Sequence, residues 1–409
     1  MTDWGARAEA LLIELSHLSE PGPGVTRLPF TPEHRAALDL LSSCMETAGL
    51  KVSLDDAGTL VGRLAGPPEG GTFLMGSHQD SGRESGAYDG IMGVVVPLIA
   101  LEKLRADGVK LPFSVEILAF ADEEGVRFPT ALLGSRALAG SYDSSVLDMK
   151  DDSGVSLHDA MVSFGLNPGA IGELRRDPKE TIGFLETHVE QGPVLERQGE
   201  AIGIVTAICG IERHQISVIG ETGHAGTLPM EDRRDALVGA AAVVTEVNRI
   251  ATSTSDLRAT VGALSVAPNV VNAVPRAVQL TAEIRSPEDE TRQAAGDRLH
   301  RFAQQLADDT GLQIDCKRTY SQAAQPCSRD LSKHLEDAMP QAGGPCIFLP
   351  SGATHDASAM ADLCPVAMLF VRCRGGVSHR PEEFASSGDM NAAINVLAGF
   401  LISMRKNPA

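Results

Sequence analysis

The chain has 409 residues, enough for two domains, and its 43% hydrophobic and 22% charged content excludes disordered and fibrous architectures. A net charge of −19 leaves no basic footprint for nucleic acid and predicts repulsion from anionic membrane. The longest apolar run, Ile91 to Leu101, falls well short of the roughly 18–20 residues of a membrane span.

In chain order, residues 1–20 interrupt their apolar positions with Glu9 and Glu14 and predict an amphipathic helix rather than a secretory leader. Residues 32–49 repeat apolar positions at helical spacing up to Gly49, a natural C-cap. LKVSLDDAGTLVGRL then alternates as a strand pair around Ala57-Gly58, and GTFLMGSH (71–78) is a short apolar strand whose polar loop feeds a helix over 91–105. SVEILAFADEE (114–124) repeats the arrangement, an apolar strand that ends in three consecutive carboxylates. This alternation predicts an α/β domain with a parallel sheet and its site at the C-terminal ends of the strands.

The middle of the chain reads differently. Strand 212–221, helix 230–251, strands 259–267 and 278–286, helix 289–309 and strand 312–321 follow the order of a ferredoxin-like α+β domain. The parallel pattern resumes with strands 344–352 and 366–372 and a helix over 387–404. The layout is one α/β domain of residues 1–211 and 329–409, interrupted by an inserted domain of residues 212–328. Seven cysteines, odd in number and without a CxxC pair, argue against a disulfide scaffold or a structural zinc knot; small buried side chains in a reducing cytoplasm fit them best.

Four separate strand ends deliver His, Asp or Glu. His78, Asp80 and Asp89 share one glycine-rich loop; Asp122, Glu123 and Glu124 end the next strand; His188 lies in FLETHVEQG on the same side as Glu186 and Glu190; His379 follows a fourth apolar strand. A lone histidine at a strand end is usually a solvated loop residue, and an acidic pair is usually a helix N-terminal turn. Recurrence at one edge of one sheet changes that balance, because three adjacent carboxylates repel one another unless cations neutralise them. Two divalent ions roughly 3.5–4 Å apart need a bridging carboxylate and one or two further ligands each. Asp89 suits the bridge, with His78 and His188 on one ion and Glu124 and His379 on the other. Asp80 is then placed to orient the His78 imidazole, and Glu123 is free to take a proton from water.

GSHQDSGRESGAYDGIMG, ADEEGVRFPTALLGSRALAG, ETHVEQGPVLERQGEAIGIV, GETGHAGTLPMEDRRDAL and SGATHDASAM with RGGVSHRPEEF resemble, in order, the blocks of the hydantoinase/carbamoylase family. That family includes N-carbamoyl-L-amino-acid hydrolases, β-ureidopropionases and allantoate amidohydrolases, and belongs to the wider group of di-zinc aminoacylases and carboxypeptidases. The resemblance implies a di-metal aminopeptidase-like catalytic domain with an inserted lid and dimerisation domain, hence a homodimer. It implies His78, Asp89, Glu124, His188 and His379 as metal ligands and Glu123 as general base. It also assigns His224 to the transition-state oxyanion, Asn272 and Arg285 to the substrate carboxylate, and Gln191 to the neighbourhood of the scissile group. Histidine at 188, where peptidase relatives usually carry a carboxylate, favours the carbamoyl branch. The chain departs from its relatives at Glu84-Ser85-Gly86, Gly223 and Leu228, which alters the walls near the site and leaves the ligands intact.

The expected reaction is hydrolysis of the carbamoyl C–N bond of an N-carbamoyl-L-amino acid or similar carboxylated ureide, giving amino acid, ammonia and carbon dioxide. Allantoate is the second substrate reading, an N-acyl amino acid or dipeptide the third, and a non-catalytic binding relative the fourth. Zinc is the expected metal, and manganese, cobalt and nickel suit the same donors.

Overall fold

The structure is a computed structural model that describes residues 2–405. The chain divides into two compact units, one formed by Met1–Thr206, Cys327–Leu349 and Thr354–Ala409, the other by Ala207–Pro326 and Pro350–Ala353. In chain order the strands are β1 (Lys51–Leu54), β2 (Leu60–Leu64), β3 (Thr72–His78), β4 (Ser114–Phe120), β5 (Thr181–Val189), β6 (Ile202–Ile208), β7 (Gly210–Ile219), β8 (Arg258–Ala267), β9 (Ala277–Ser286), β10 (Gln313–Gln322), β11 (Gln325–Pro326), β12 (Phe348–Ser351) and β13 (Val366–Val371).

The larger sheet has the order β1-β2-β4-β3-β5-β13-β6-β11, with β12 also paired to β6. Only its centre is parallel: β4 with β3, β3 with β5 and β5 with β13. The outer pairs are antiparallel, so the parallel sheet expected from the alternating pattern is the centre of a mixed one. The reason is connection length. β1 and β2 are joined by a tight turn in which Asp55 Oδ1 accepts from the backbone N–H of Ala57 and Thr59, and such a turn reverses direction. β3 and β4 are joined through the helix Met92–Ala106, long enough for a crossover. The strand expected over 344–352 shortens to Phe348–Ser351.

The parallel strands are buried along their length, as a sheet covered on both faces requires. The helix Met92–Ala106 is apolar around most of its surface, and Gly93 lets its first turn approach β5; a Cβ there would collide with the Thr187 carbonyl. The amphipathic helix expected near the start spans Trp4–Ser16 and buries Ala8, Leu11, Leu12 and Leu15. The helix Pro32–Thr47 begins at a Thr31 cap with proline in its first turn and gives way to Gly49 at φ 87°.

The second unit carries the four-stranded antiparallel sheet β10-β7-β9-β8 and the helices Ala236–Thr252 and Asp289–Thr310. Strand, helix, two strands, helix, strand with the outer strands flanking in this order is the ferredoxin-like arrangement. Its core is Ile216, Val218, Val243, Val247, Ile250, Leu280, Ile284 and Leu299. The first helix starts at Ala236 rather than 230, because Asp235 accepts from the N–H groups of Leu237 and Val238 and so caps it there. No helix of the described residues is long and apolar enough to cross a membrane.

Candidate metal centre

The four parallel strands end on one side, and register lines up the groups they carry: His78 lies opposite Phe120 of β4, and His188 opposite Phe370 of β13. The loops beyond these ends hold the remaining groups. His78 Nδ1 bonds the carbonyl of Asp80 and His188 Nδ1 that of Val189, both at 2.9 Å. A carbonyl only accepts, so each Nδ1 carries a proton and each Nε2 is directed elsewhere. Both are directed at Asp89: His188 Nε2 is 3.1 Å and His78 Nε2 3.9 Å from Asp89 Oδ1. On the other oxygen, His379 Nε2 is 3.0 Å from Asp89 Oδ2, and the same nitrogen is 3.9 Å from Glu124 Oε1. The result is two triads that share Asp89, His78-Asp89-His188 and Asp89-Glu124-His379, each with its ligand atoms within 4.8 Å of one another. Gly90, at φ 65°, closes the Asp89 loop over His78; a Cβ there would collide with the imidazole.

The electrostatics ask for positive charge. Burial, then Asp356, Glu124 and Asp80, hold the Glu123 carboxyl well above the usual carboxylate range. Burial and Asp80 do the same to Asp122, whose two oxygens find no hydrogen-bond partner among the described residues. Asp89 goes the other way: burial opposes its charge, but the bonds from His188 and His379 outweigh that and hold it well below the usual range. Burial draws His188 down, yet Asp89 and Glu186 push it up to about 9; His379 is pushed to about 9 chiefly by its bond to Asp89. Divalent cations between the same atoms would supply this charge with neutral rings. The donor sets, two imidazoles with a carboxylate and one imidazole with two, suit zinc, manganese, cobalt or nickel.

Glu123 Oε2 stands 3.9 Å from His78 Nε2, at the edge of the first triad. Gln191, at φ 55°, brings Nε2 to 3.2 Å from Asp89 Oδ2 and 3.5 Å from His379 Nε2. Asp80 orients His78 through its backbone carbonyl rather than its carboxylate, which stands 3.8 Å from Nδ1. The carboxylate accepts instead from the N–H groups of Glu123 and Glu124, at 3.2 and 3.3 Å, and so sets the acidic loop.

Sequence reasoning gave no role to three groups. Glu383 Oε1 accepts from the N–H groups of Tyr88 and Asp89 at 3.0 and 2.9 Å, which holds the backbone of the shared carboxylate. His355 packs edge-on against the His188 ring, with centroids 4.6 Å apart. Glu186 accepts from the Ser77 hydroxyl and from Ala357 N–H, and so ties β5 to β3 beneath the histidines. Glu190, by contrast, serves local structure as the acceptor for Val194 and Leu195 N–H.

The other expected residues lie in the second unit. His224 forms an isolated bridge with Ala273, and Ala225 N–H donates to the Asn272 carbonyl at 2.9 Å, so the two loops meet. Gly226 N–H donates to His224 Nδ1, which leaves Nε2 as the donor of the neutral ring. Arg285, half-buried, is held by Glu283 Oε1 at 2.7 Å and by the Gly352 carbonyl at 2.6 Å.

A fold of this layout with a shared-carboxylate centre defines a class, and the comparisons agree: the chain belongs to Peptidase family M20/M25/M40, whose model matches residues 81–403, a family of metal-dependent hydrolases. Within it, the chain is 39% identical over 398 residues to an N-carbamoyl-L-amino-acid amidohydrolase of Paenarthrobacter aurescens, with 96% of both chains covered. It is 37% identical over 426 residues to a probable allantoate deiminase of Oryza sativa subsp. japonica, covering 95% of this chain and 86% of that one. The crystal structure of a hydantoinase/carbamoylase family amidase from Burkholderia multivorans superposes with a TM-score of 0.92 at 31% identity, over 99% of this chain and 98% of that one.

Proposed function

We propose that the protein hydrolyses the carbamoyl C–N bond of an N-carbamoyl-L-amino acid or a closely similar carboxylated ureide, with two divalent ions, zinc foremost, held by His78, Asp89 and His188 and by Asp89, Glu124 and His379. The observation that carries the reading is the pair of triads on one carboxylate with Glu123 beside them. Ions bound there would polarise the carbamoyl oxygen and lower the pKa of water. Glu123, whose proton affinity burial raises, takes the proton of the attacking water and returns it to the departing amine. Gln191 orients the reacting group through its amide, next to Asp89. His224 donates Nε2–H to the developing oxyanion, and Asn272 and Arg285 bind the substrate carboxylate, for which a guanidinium fork is suited.

All seven cysteines are free, which supports a reducing cytoplasm. The second unit is proposed as lid and homodimer surface, supported by edge strand β8 with exposed Leu264 and by exposed Val270 and Val271. The test is a panel of N-carbamoyl-L-amino acids, β-ureidopropionate, allantoate and N-acyl amino acids on metal-loaded protein, with ammonia and amine release measured. Ammonia from the carbamoyl compounds supports the reading. Preferred release from allantoate makes the protein an allantoate amidohydrolase, and amine without ammonia overturns the carbamoyl assignment.

A further inference from the structure

A second cluster of metal-ligating side chains lies wholly within the second unit. Glu212 and His214 are buried at alternate positions of β7, Cys316 lies on the neighbouring strand β10, and His300 comes from the helix Asp289–Thr310. One ligand atom each from His214, His300 and Cys316 lies within 4.8 Å of the other two. We propose that these three residues form a separate site for a borderline-soft divalent ion, zinc foremost, that clamps this helix to β7 and β10.

The ordinary alternative is a polar contact between two imidazoles, and three features favour an ion. His214 Nε2 donates to Glu212 Oε2 at 3.2 Å, so Nδ1 presents its lone pair to His300 Nε2, 3.1 Å away. A carboxylate holding the far nitrogen of an imidazole is the usual support of a ligating histidine. Two nitrogens on one tetrahedral zinc stand about 3.3 Å apart, close to the spacing seen, and thiolate is the third donor that zinc prefers. Charge closes as well. Arg318 Nε holds Glu212 at 3.1 Å and its Nη2 reaches Asp297 at 3.4 Å, so zinc and Arg318 balance the thiolate, Glu212 and Asp297. The fourth position is left to water.

Sulfur makes the site separable from the first-unit triads, which contain none. Full-length protein freed of metal and titrated with cobalt(II) should show thiolate-to-cobalt charge-transfer absorption. Cys316→Ser and His300→Ala should each lose that absorption and one metal equivalent, and keep wild-type turnover after zinc reloading. Wild-type protein adds a test that needs no variant: saturating zinc should protect Cys316 from alkylation, read by peptide mass spectrometry. No charge-transfer band at saturating cobalt, a band that survives in Cys316→Ser, or equal Cys316 labelling with and without zinc would each overturn the proposal.

Discussion

In the nine-stranded sheet His78 and His188 sit in the last two residues of their strands and Asp89, Glu123, Glu124 and His379 stand on loops beyond strand ends; in the four-stranded sheet Glu212 and His214 stand inside a strand. The first placement leaves the backbone free to take unusual shapes. Asp122, Gln191 and His379 adopt positive φ, and Gly90 presses its loop onto His78, conformations that a hydrogen-bonded ladder does not offer. The second placement trades that freedom for rigidity, since neighbours on both strands and a covering helix set each side chain. The proposed function would place bond-breaking at the loops of the first unit and recognition in the second, where Arg285 and the paired loops of His224 and Asn272 lie.

The largest effect that tests this division is expected at Glu123. Glu123→Gln should lower kcat by about 10²–10⁴-fold and leave KM and metal content close to wild type. Near-normal turnover would remove the proposed base and blur the contrast at its strongest point. Next comes Glu383→Ala, which deprives Tyr88 and Asp89 N–H of their acceptor. Metal affinity, followed by calorimetry, should fall about 10–100-fold, with Glu383→Gln recovering much of it. Unchanged affinity would show that the Asp89 loop needs no such anchor. Arg285→Ala should act on binding instead and raise KM for carboxylated substrates about 10–100-fold with kcat little changed, as loss of a charge-assisted bond does. A fall in kcat with KM unmoved would place the carboxylate clamp elsewhere. Smallest is Asp235→Ala, which uncaps the helix Ala236–Thr252 and should cost about 1 kcal/mol in thermal or denaturant unfolding, with metal content unchanged.

Much of the first-unit centre was legible because hydrophobic periodicity marks where strands stop, and the loops beyond the C-terminal ends of parallel strands are where sites gather. His78, Asp89, Glu124, His188 and His379 were found that way, and the structure brings all five together. Glu383 escaped because it sits 294 residues from the Asp89 N–H it accepts, and no local pattern predicts such a pairing. Asp80 was located, yet its carbonyl rather than its carboxylate orients His78, and the carboxylate accepts from the N–H groups of Glu123 and Glu124. Arg285 was named only through the family resemblance, and its bonds to Glu283 and Gly352 appear only when β9 and the 350–353 segment meet.

By itself the sequence determined the order and type of the elements, the ferredoxin-like insertion and the edge at which acid and imidazole groups accumulate, because those depend on local period and turn chemistry. Tertiary structure alone decided that only the centre of the larger sheet is parallel, that Asp89 is shared between two triads, and which buried carboxylates hold backbone rather than face the centre. Those outcomes depend on contacts between residues tens to hundreds of positions apart, whose energies no short stretch of chain encodes.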